Sequence, residues 1–543
     1  MLQLAQVSSL EKVFLNDSLP KQTFCSASVL TGEEFDYQVA YCSDEMTDVS
    51  VSVESELPVE VFAVEHVPSL MPVKGEDDGD YLTREAGVFP DVLRPIETAY
   101  VRATPFTNTV WIHVKAIKAG TYPIKVTITE KRGNEIVWDF PPAVPKTVTF
   151  QLKVLRAKLP EQKMAVTQWF HGDCIASYYQ EKALSESHWE HMEAFIKTAA
   201  EHGINMLLTP IFTPPLDTAI GGERPTIQLV DVYVEQGQYR FGFEQLKRWF
   251  SIGKKYGIKY FEMAHLFTQW GAEYTPKIMA MVDGTEKRIF GWDVEALSEQ
   301  YRQFLDAFLP ALTKVLKEEQ VEAYFHISDE PHLKHLDHYR QVKEMVAPYL
   351  KDYKMIDALS NYEFYQQGVV EHPIPSSNHI TPFLGKEHLW TYYCTSQYEK
   401  VSNRFFAMPS YRNRIIGLQF YKYQIEGFLH WGYNFYYSQY SKYLINPYLN
   451  TDASQGFQSG DAFSVYPGDD GSCLPSMRLK VFYHALQDVR ALELLESLIG
   501  REKVVELIDE EGEVTFFEYP RSAEFLLSFR EKINTFIEKN WKE

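Results

Sequence analysis

Over the first 156 residues, apolar and polar positions alternate in short runs. "DYQVAYCS", "VSVSVES", "VEVFAVEHV", "TVWIHVKAI", "TYPIKVTIT" and "TVTFQLKVL", with "TFCSASVL" ahead of them, are rich in β-branched and aromatic residues. The turn signals "LTGEE", "KAGTYP" and "KRGNE" separate them. A period of two predicts strands with one buried face, and two packed antiparallel sheets bury such faces most simply. The expectation is an immunoglobulin-like β-sandwich over residues 1–156, followed by a junction at "RAKLPEQK".

Beyond the junction the rhythm changes. Apolar runs "MAVTQWF", "INMLLTPIF", "IKYFEMAHL", "VEAYFHIS", "KMIDALS", "IPSSNHI", "HLWTYYCTS" and "GFLHWGYNF" read as eight strands. Amphipathic helical stretches separate most of them, among them "ESHWEHMEAFIKTAAEHG", "ALSEQYRQFLDAFLPALTKVLKEEQ" and "PSYRNRIIGLQFYKYQIE". Eight strands with intervening helices predict a (β/α)8 TIM-type barrel over about 161–485, with a hairpin inserted around "TIQLVDVYVEQGQYRFG". Residues 486–543 are expected as a helical tail packed on the barrel, so the fold class is multidomain α and β. The chain shows no internal repeat and no low-complexity tract.

Composition narrows the function. A net charge of −21 argues against nucleic acid, whose binding rests on neutralising phosphates. Aromatic residues make up 15% of the chain; much of this belongs to the core, and a surplus near strand ends would suit stacking on sugar rings or other flat, partly apolar ligands. The opening "MLQLAQVSSLEKVF" lacks the basic and apolar regions of a signal peptide, and no run reaches membrane-spanning length. Five scattered cysteines form no CxxC and read as free thiols. A cytoplasmic protein without membrane attachment is expected. Oligomeric state is not legible.

Chemistry in a barrel gathers at the C-terminal ends of the strands. There the sequence offers Trp169, His171 and Asp173 after strand one, and His265 and Trp270 after strand three. Strand seven offers Tyr392 and Tyr393, and strand eight Trp431, Tyr433 and Asn434. Strand four ends "HISDEP". Alternation turns Tyr324, His326, Ser328 and Glu330 into the barrel and Val321, Ala323, Phe325 and Ile327 toward the helices. Asp329 then needs a bent backbone to join Glu330, and Pro331 favours such a break. The same Asp-Glu-Pro also reads as a helix cap, and the histidines and tryptophans as core. His332, His335 and His338 recur every three residues, but among solvated charges and without HExxH, so no metal or other cofactor is expected. "DDGD" (77–80) reads as an exposed turn. The chain has no Gly-rich phosphate loop and no GxSxG elbow.

Taken in order, "HISDEP", "LWTYYCTS", "NRFFAMPSYRNRIIGLQFYKYQIEGFLHWGYNFY", "GDAFSVYPGDDG" and "PSMRLKVFYHALQDVRALELL" resemble glycoside hydrolase family 123, β-N-acetylgalactosaminidases that join a β-sandwich to a catalytic barrel. The opening "SSLEKVF" also resembles the start of such proteins. One position departs: similar proteins often carry Trp where "GLQFYKY" has Gln419. The resemblance implies a retaining exo-hydrolase that releases terminal β-linked N-acetylgalactosamine from a glycan or glycoconjugate by substrate assistance. It places the acetamido-orienting carboxylate on Asp329, held ionised, and the general acid/base on Glu330, held protonated. Tyr392 or Tyr393 would bond the acetamido oxygen, and Trp431 and Trp169 would wall the sugar. Two alternatives stand beside it. One is a non-catalytic carbohydrate-binding protein on the same scaffold. The other is a glycosidase for another sugar, with Glu262, Glu363 or Asp357 facing Glu330.

Overall fold

The computed structural model describes residues 1–21, 24–76, 78–131 and 144–542. Most of the turn expected at "KRGNE" lies outside them, as do Thr23 of the first strand candidate and Asp77 of "DDGD". The chain divides into two compact units. One comprises Met1–Gln162, Glu399–Lys422 and Leu474–Glu543; the other comprises Lys163–Tyr398 and Tyr423–Cys473.

The first unit holds two five-stranded sheets. One runs Gln3–Ser8, Glu34–Cys42, Asn108–Lys115, Val59–Ser69, Gly87–Pro95; the other runs Ser26–Thr31, Lys146–Lys158, Gly120–Lys131, Thr47–Glu54, Arg102–Ala103. The β-rich character and the expected strands are present, and Gln3–Ser8, Gly87–Pro95 and Arg102–Ala103 are additional. Between the sheets lies a core that includes Tyr37, Val39, Val110, Ile112, Ile124, Val126 and Phe150. Strand Gly120–Lys131 alternates buried and exposed positions, because one face meets this core. Strand Asn108–Lys115 is buried almost throughout. Its other face belongs to a second core, where Trp111, Phe62, Val64 and Leu93 meet Ile415, Leu418, Met477, Val481 and Leu492 from the helices of this unit. Those helices are Ser410–Arg414, Ile416–Lys422, Met477–Ile499, Arg501–Ile508 and Ala523–Asn540. Residues 486–543, expected as a helical tail packed on the barrel, thus group with the N-terminal strands, together with 474–485, which were expected in the barrel. Asp78 is nearly buried rather than exposed, paired with Arg412 at 2.9 Å and Arg521 at 3.1 Å.

The second unit is an eight-stranded parallel barrel with helices between strands. Its strands are Ala165–Gln168, Met206–Thr209, Tyr260–Met263, Glu322–Phe325, Lys354–Leu359, His372–Pro375, Trp390–Tyr392 and Gly427–His430. They occupy the expected positions, although the sixth starts two residues early. The first strand pairs with the eighth from Ala165↔Gly427 to Gln168↔His430. A bridge between Ser376 and Tyr392 closes the ring. Two hairpins, Asp231–Glu235 with Gln238–Gly242 and Ile278–Val282 with Thr285–Phe290, form a small sheet in the loops after strands two and three. At the N-terminal end of the lumen Tyr324 packs on Tyr260 and Trp390, with centroids 5.7 and 5.8 Å apart. Gly427 makes room for that plug: a Cβ there would lie 2.1 Å from the Trp390 ring. None of the five cysteines is in a disulfide.

Candidate active site

The fourth strand does not end at Phe325. Its backbone continues beside the loop after strand three, accepting from Leu266 at His326, from Phe267 at Ile327 and from Trp270 at Asp329 (3.3, 3.1 and 2.7 Å). On the other side Glu330 donates its N–H to Ala358 at 3.0 Å. Consecutive side chains on a straight strand would diverge. Here Glu330 takes a φ of +44°, a left-handed conformation costing a non-glycine residue about 1–3 kcal/mol, and the following proline limits escape into a helix. The outcome is that Asp329 and Glu330 line one pocket.

The pocket has a volume of about 750 Å³, counting the space at its mouth. Trp169, Trp270, Trp431, Tyr392, Tyr440 and Phe457 give it aromatic walls. Its carboxyls are Asp329, Glu330 and Asp217, and none of the described residues lining it is basic. Tyr392 donates its hydroxyl to Glu330 Oε1 at 2.5 Å. Trp431 donates Nε1–H to Asp461 at 3.0 Å, which fixes its ring plane. Burial and the adjacent Glu330 charge push the Asp329 carboxyl well above the ordinary carboxylate range, against the expectation of an ionised Asp329. Three further pocket-lining residues, Asp217, Trp270 and Tyr440, also have left-handed backbone (φ 39°, 63° and 62°).

Beneath the pair lies a buried charged layer. His326 is hydrogen-bonded to Glu262 through Nε2 and to Asp357 through Nδ1 at 3.2 Å. Burial opposes the imidazolium, but the two carboxylates outweigh it and hold His326 up to about 10. Glu262 also accepts from Thr167 and from Trp169 Nε1, each at 2.8 Å. Asp357 also accepts from Ser328 N–H at 3.2 Å and from the Tyr339 hydroxyl, and burial raises it to about 6. His265 stacks on His326 with centroids 4.4 Å apart and is held neutral, by burial and then by the His326 charge. This layer fixes the Trp169 ring and the base of the fourth strand.

Of the residues read from the strand ends, Asp329, Glu330, Tyr392, Trp169, Trp270 and Trp431 meet at the pocket. His171, His265, Tyr393 and Asn434 do not line it. Tyr393 faces away, packed on Phe428 and His430. His171 and Asn434 clasp each other's loops: the Asn434 amide accepts from His171 N–H at 2.8 Å and donates to its carbonyl at 3.1 Å. Asp173 forms a buried bidentate pair with Arg224, and the Tyr433 hydroxyl donates to the Phe195 carbonyl. Gln419 is equally remote, bonded to Ser402 and to the Thr515 carbonyl. His338 donates Nε2–H to the Ala272 carbonyl at 2.9 Å, and no group of three or more metal-ligating side chains gathers among the described residues. Sequence reasoning missed Asp217, Gln269, Cys394, Thr395, Ser396, Gln439, Tyr440 and Phe457. They sit on aperiodic loops, and only their position after barrel strands could have flagged them.

The family model for the glycoside hydrolase 123 catalytic domain matches residues 169–495, a span that contains every described residue lining the pocket. The chain belongs to glycoside hydrolase family 123. The fold of this family 123 hydrolase agrees. A family 123 glycoside hydrolase from Clostridium perfringens, described for glycolipid glycan hydrolysis, superposes with a TM-score of 0.74 at 15% identity, covering 99% of each chain. A β-D-glucuronidase from Dictyoglomus thermophilum reaches a TM-score of 0.34 at 8% identity, over 84% of this chain and 66% of that one. A family 5 mannosidase from Rhizomucor miehei reaches 0.32 at 12%, over 63% and 95%. Both are too distant to inform the site. No protein of curated function matches the sequence. The family 123 enzyme is a glycoside hydrolase built on a β-rich unit and a parallel barrel.

Proposed function

We propose that the enzyme releases terminal β-linked N-acetylgalactosamine from a glycan or glycoconjugate with retention, using the sugar's own 2-acetamido group as nucleophile. The observation that carries this reading is the meeting of two sequence-adjacent carboxyls, Asp329 and Glu330, in one aromatic-walled pocket. Neighbours on one strand end address one side of a sugar, whereas an enzyme nucleophile and its acid need to lie about 5 Å apart across it. Glu262 and Asp357 are committed to the buried layer, and neither they nor Glu363 line the pocket. A pocket lined by three carboxyls and no basic side chain favours a neutral sugar over an anionic one.

In the first step Glu330 gives its proton to the glycosidic oxygen as the C1–O bond breaks. The acetamido carbonyl oxygen bonds to C1 from the opposite face, forming an oxazolinium ion. Asp329 accepts from the acetamido N–H and balances the positive charge developing on that ring. Both effects favour the ionised carboxylate, which the buried pair otherwise resists. In the second step Glu330 takes a proton from water, the water oxygen bonds to C1, and the acetamido group is restored. Tyr392 holds Glu330 in line throughout, through a bond that either protonation state of the carboxyl can accept.

The test is hydrolysis of aryl β-GalNAc, β-GlcNAc and β-galactoside, with a GalNAc-thiazoline inhibition control. The expected result is preference for GalNAc, competitive inhibition by the thiazoline, and galactoside turnover lower by orders of magnitude. Comparable rates on the galactoside would exclude the acetamido nucleophile.

A further inference from the structure

We propose that Asp217 is a sugar-binding residue that sets the orientation of the glycone, its Oδ1 accepting a hydrogen bond from a ring or C6 hydroxyl remote from the reacting carbon. This deepens the exo-acting reading above and rests on it.

Asp217 lies in the loop after the second barrel strand and is tied down from two sides. Its N–H donates to Gln269 Oε1 at 2.8 Å, and Gln269 returns its amide N–H to the Thr218 carbonyl at 2.9 Å. From the loop after strand eight, Tyr440 donates its N–H to Asp217 Oδ2 at 2.8 Å. Ser441 donates its hydroxyl to the Asp217 carbonyl at 2.7 Å. Three loops, those after strands two, three and eight, are thereby locked at one residue. Each supplies a pocket-lining residue with left-handed backbone: Asp217, Trp270 and Tyr440. Such strain persists only where the surroundings over-determine it, and it marks ligand clamps and active sites.

The second oxygen of this carboxyl is the informative atom. Among the described residues Oδ1 has no hydrogen-bond partner, although Asp217 lines the pocket and burial lifts its pKa to about 6. Arg224, the nearby cation, is already paired with Asp173 and the Leu216 carbonyl. A partly buried carboxylate held rigidly, with one oxygen satisfied and the other open to a sugar pocket, is arranged to accept from a ligand hydroxyl. The acid pair decides which hydroxyls it can meet. Asp217 stands in the loop after strand two and is bound to the loops after strands three and eight, while Asp329 and Glu330 end strand four. With the acid pair engaged at C1 and C2, the hydroxyls left for Asp217 are those at C3, C4 and C6.

The experiment compares wild type, Asp217→Asn and Asp217→Ala on aryl β-GalNAc and its 3-, 4- and 6-deoxy analogues. The amide of Asp217→Asn keeps an acceptor for Tyr440 N–H, so that variant preserves the clasp if the alanine variant fails to fold. The expected loss in kcat/KM is about 10- to 100-fold for Asp217→Ala, carried mainly by KM, and smaller for Asp217→Asn. One deoxy analogue loses a similar factor in wild type and loses nothing further in the variants. Losses that multiply on all three analogues would overturn the proposal and leave Asp217 a loop tie. A collapse of kcat restored by azide would overturn it differently, by making Asp217 the enzyme's nucleophile. Failure of substrate assistance alone reads out separately, as wild-type turnover of the galactoside.

Discussion

At Glu330 two demands meet: a backbone turned to +44° and, in the proposed mechanism, a side chain that carries a proton to the leaving group. Glu330→Gln should lower kcat by about 10²- to 10⁴-fold on glycosides with poor leaving groups and much less on activated aryl glycosides. Equal losses on both, in steady-state assays, would remove the general-acid role. Asp329→Asn keeps the shape and removes the charge, so kcat should fall by about 10²- to 10³-fold even on activated substrates, with KM little changed. Sparing of activated substrates by that variant would show that Asp329 does not face the oxazolinium. Both residues were legible in the sequence because a period-two strand aims Glu330 into the lumen. The same period separates Tyr392, in the pocket, from Tyr393, on the outer face beside Phe428. The left-handed turn at Glu330 was not legible, since nothing but the following proline hints at it. Asp217 was hidden in a loop with no periodicity, and it takes its meaning from Tyr440, more than two hundred residues away.

The fourth strand owes its charge balance to its neighbours. Imidazolium at His326 is held up to about 10 by Glu262 and Asp357, against an ordinary 6.5. Its stabilising contribution is therefore full below about pH 6.5 and is lost as pH rises through about 10. The melting temperature should decline across that window, and His326→Gln, less stable at neutral pH, should decline less. An identical slope in both proteins, by calorimetry, would mean that His326 is neutral when folded. Gly427→Ala pushes a Cβ into the Trp390 ring and should destabilise the barrel by about 1–3 kcal/mol or more, seen as a lower denaturant midpoint. Strand positions were readable because apolar runs of four to eight residues stand between helical patterns. The helix expected over 409–426 breaks into Ser410–Arg414 and Ile416–Lys422. The hairpin at Ile278–Phe290 was passed over, although Asp283-Gly284 between alternating runs is a strong turn signal.

On the scale of the whole molecule, chain order and spatial grouping diverge. Amphipathic periodicity showed that residues 476–498 form a helix but not which surface it covers, because many apolar faces could accept it. In the structure Met477, Val481 and Leu492 share a core with Phe62, Val64, Leu93 and Trp111. A fragment of residues 1–162 should thus expose that face, bind a hydrophobic dye strongly and aggregate; a sharp cooperative melt matching the full chain would refute this. The ribosome makes that same fragment in every cell that translates the gene. The N-terminal strands emerge first, yet Ile537, which shares their second core, follows Lys163 by some 375 residues. At about 5–20 residues per second the wait lasts roughly 20 to 75 seconds. Within that interval the barrel segment is completed while the strands before it stand half covered. Chains stalled near residue 470 should accordingly be cut by protease within 1–162 and spared within the barrel, which would make the arrival of the three helices after Ser476 the timer of folding.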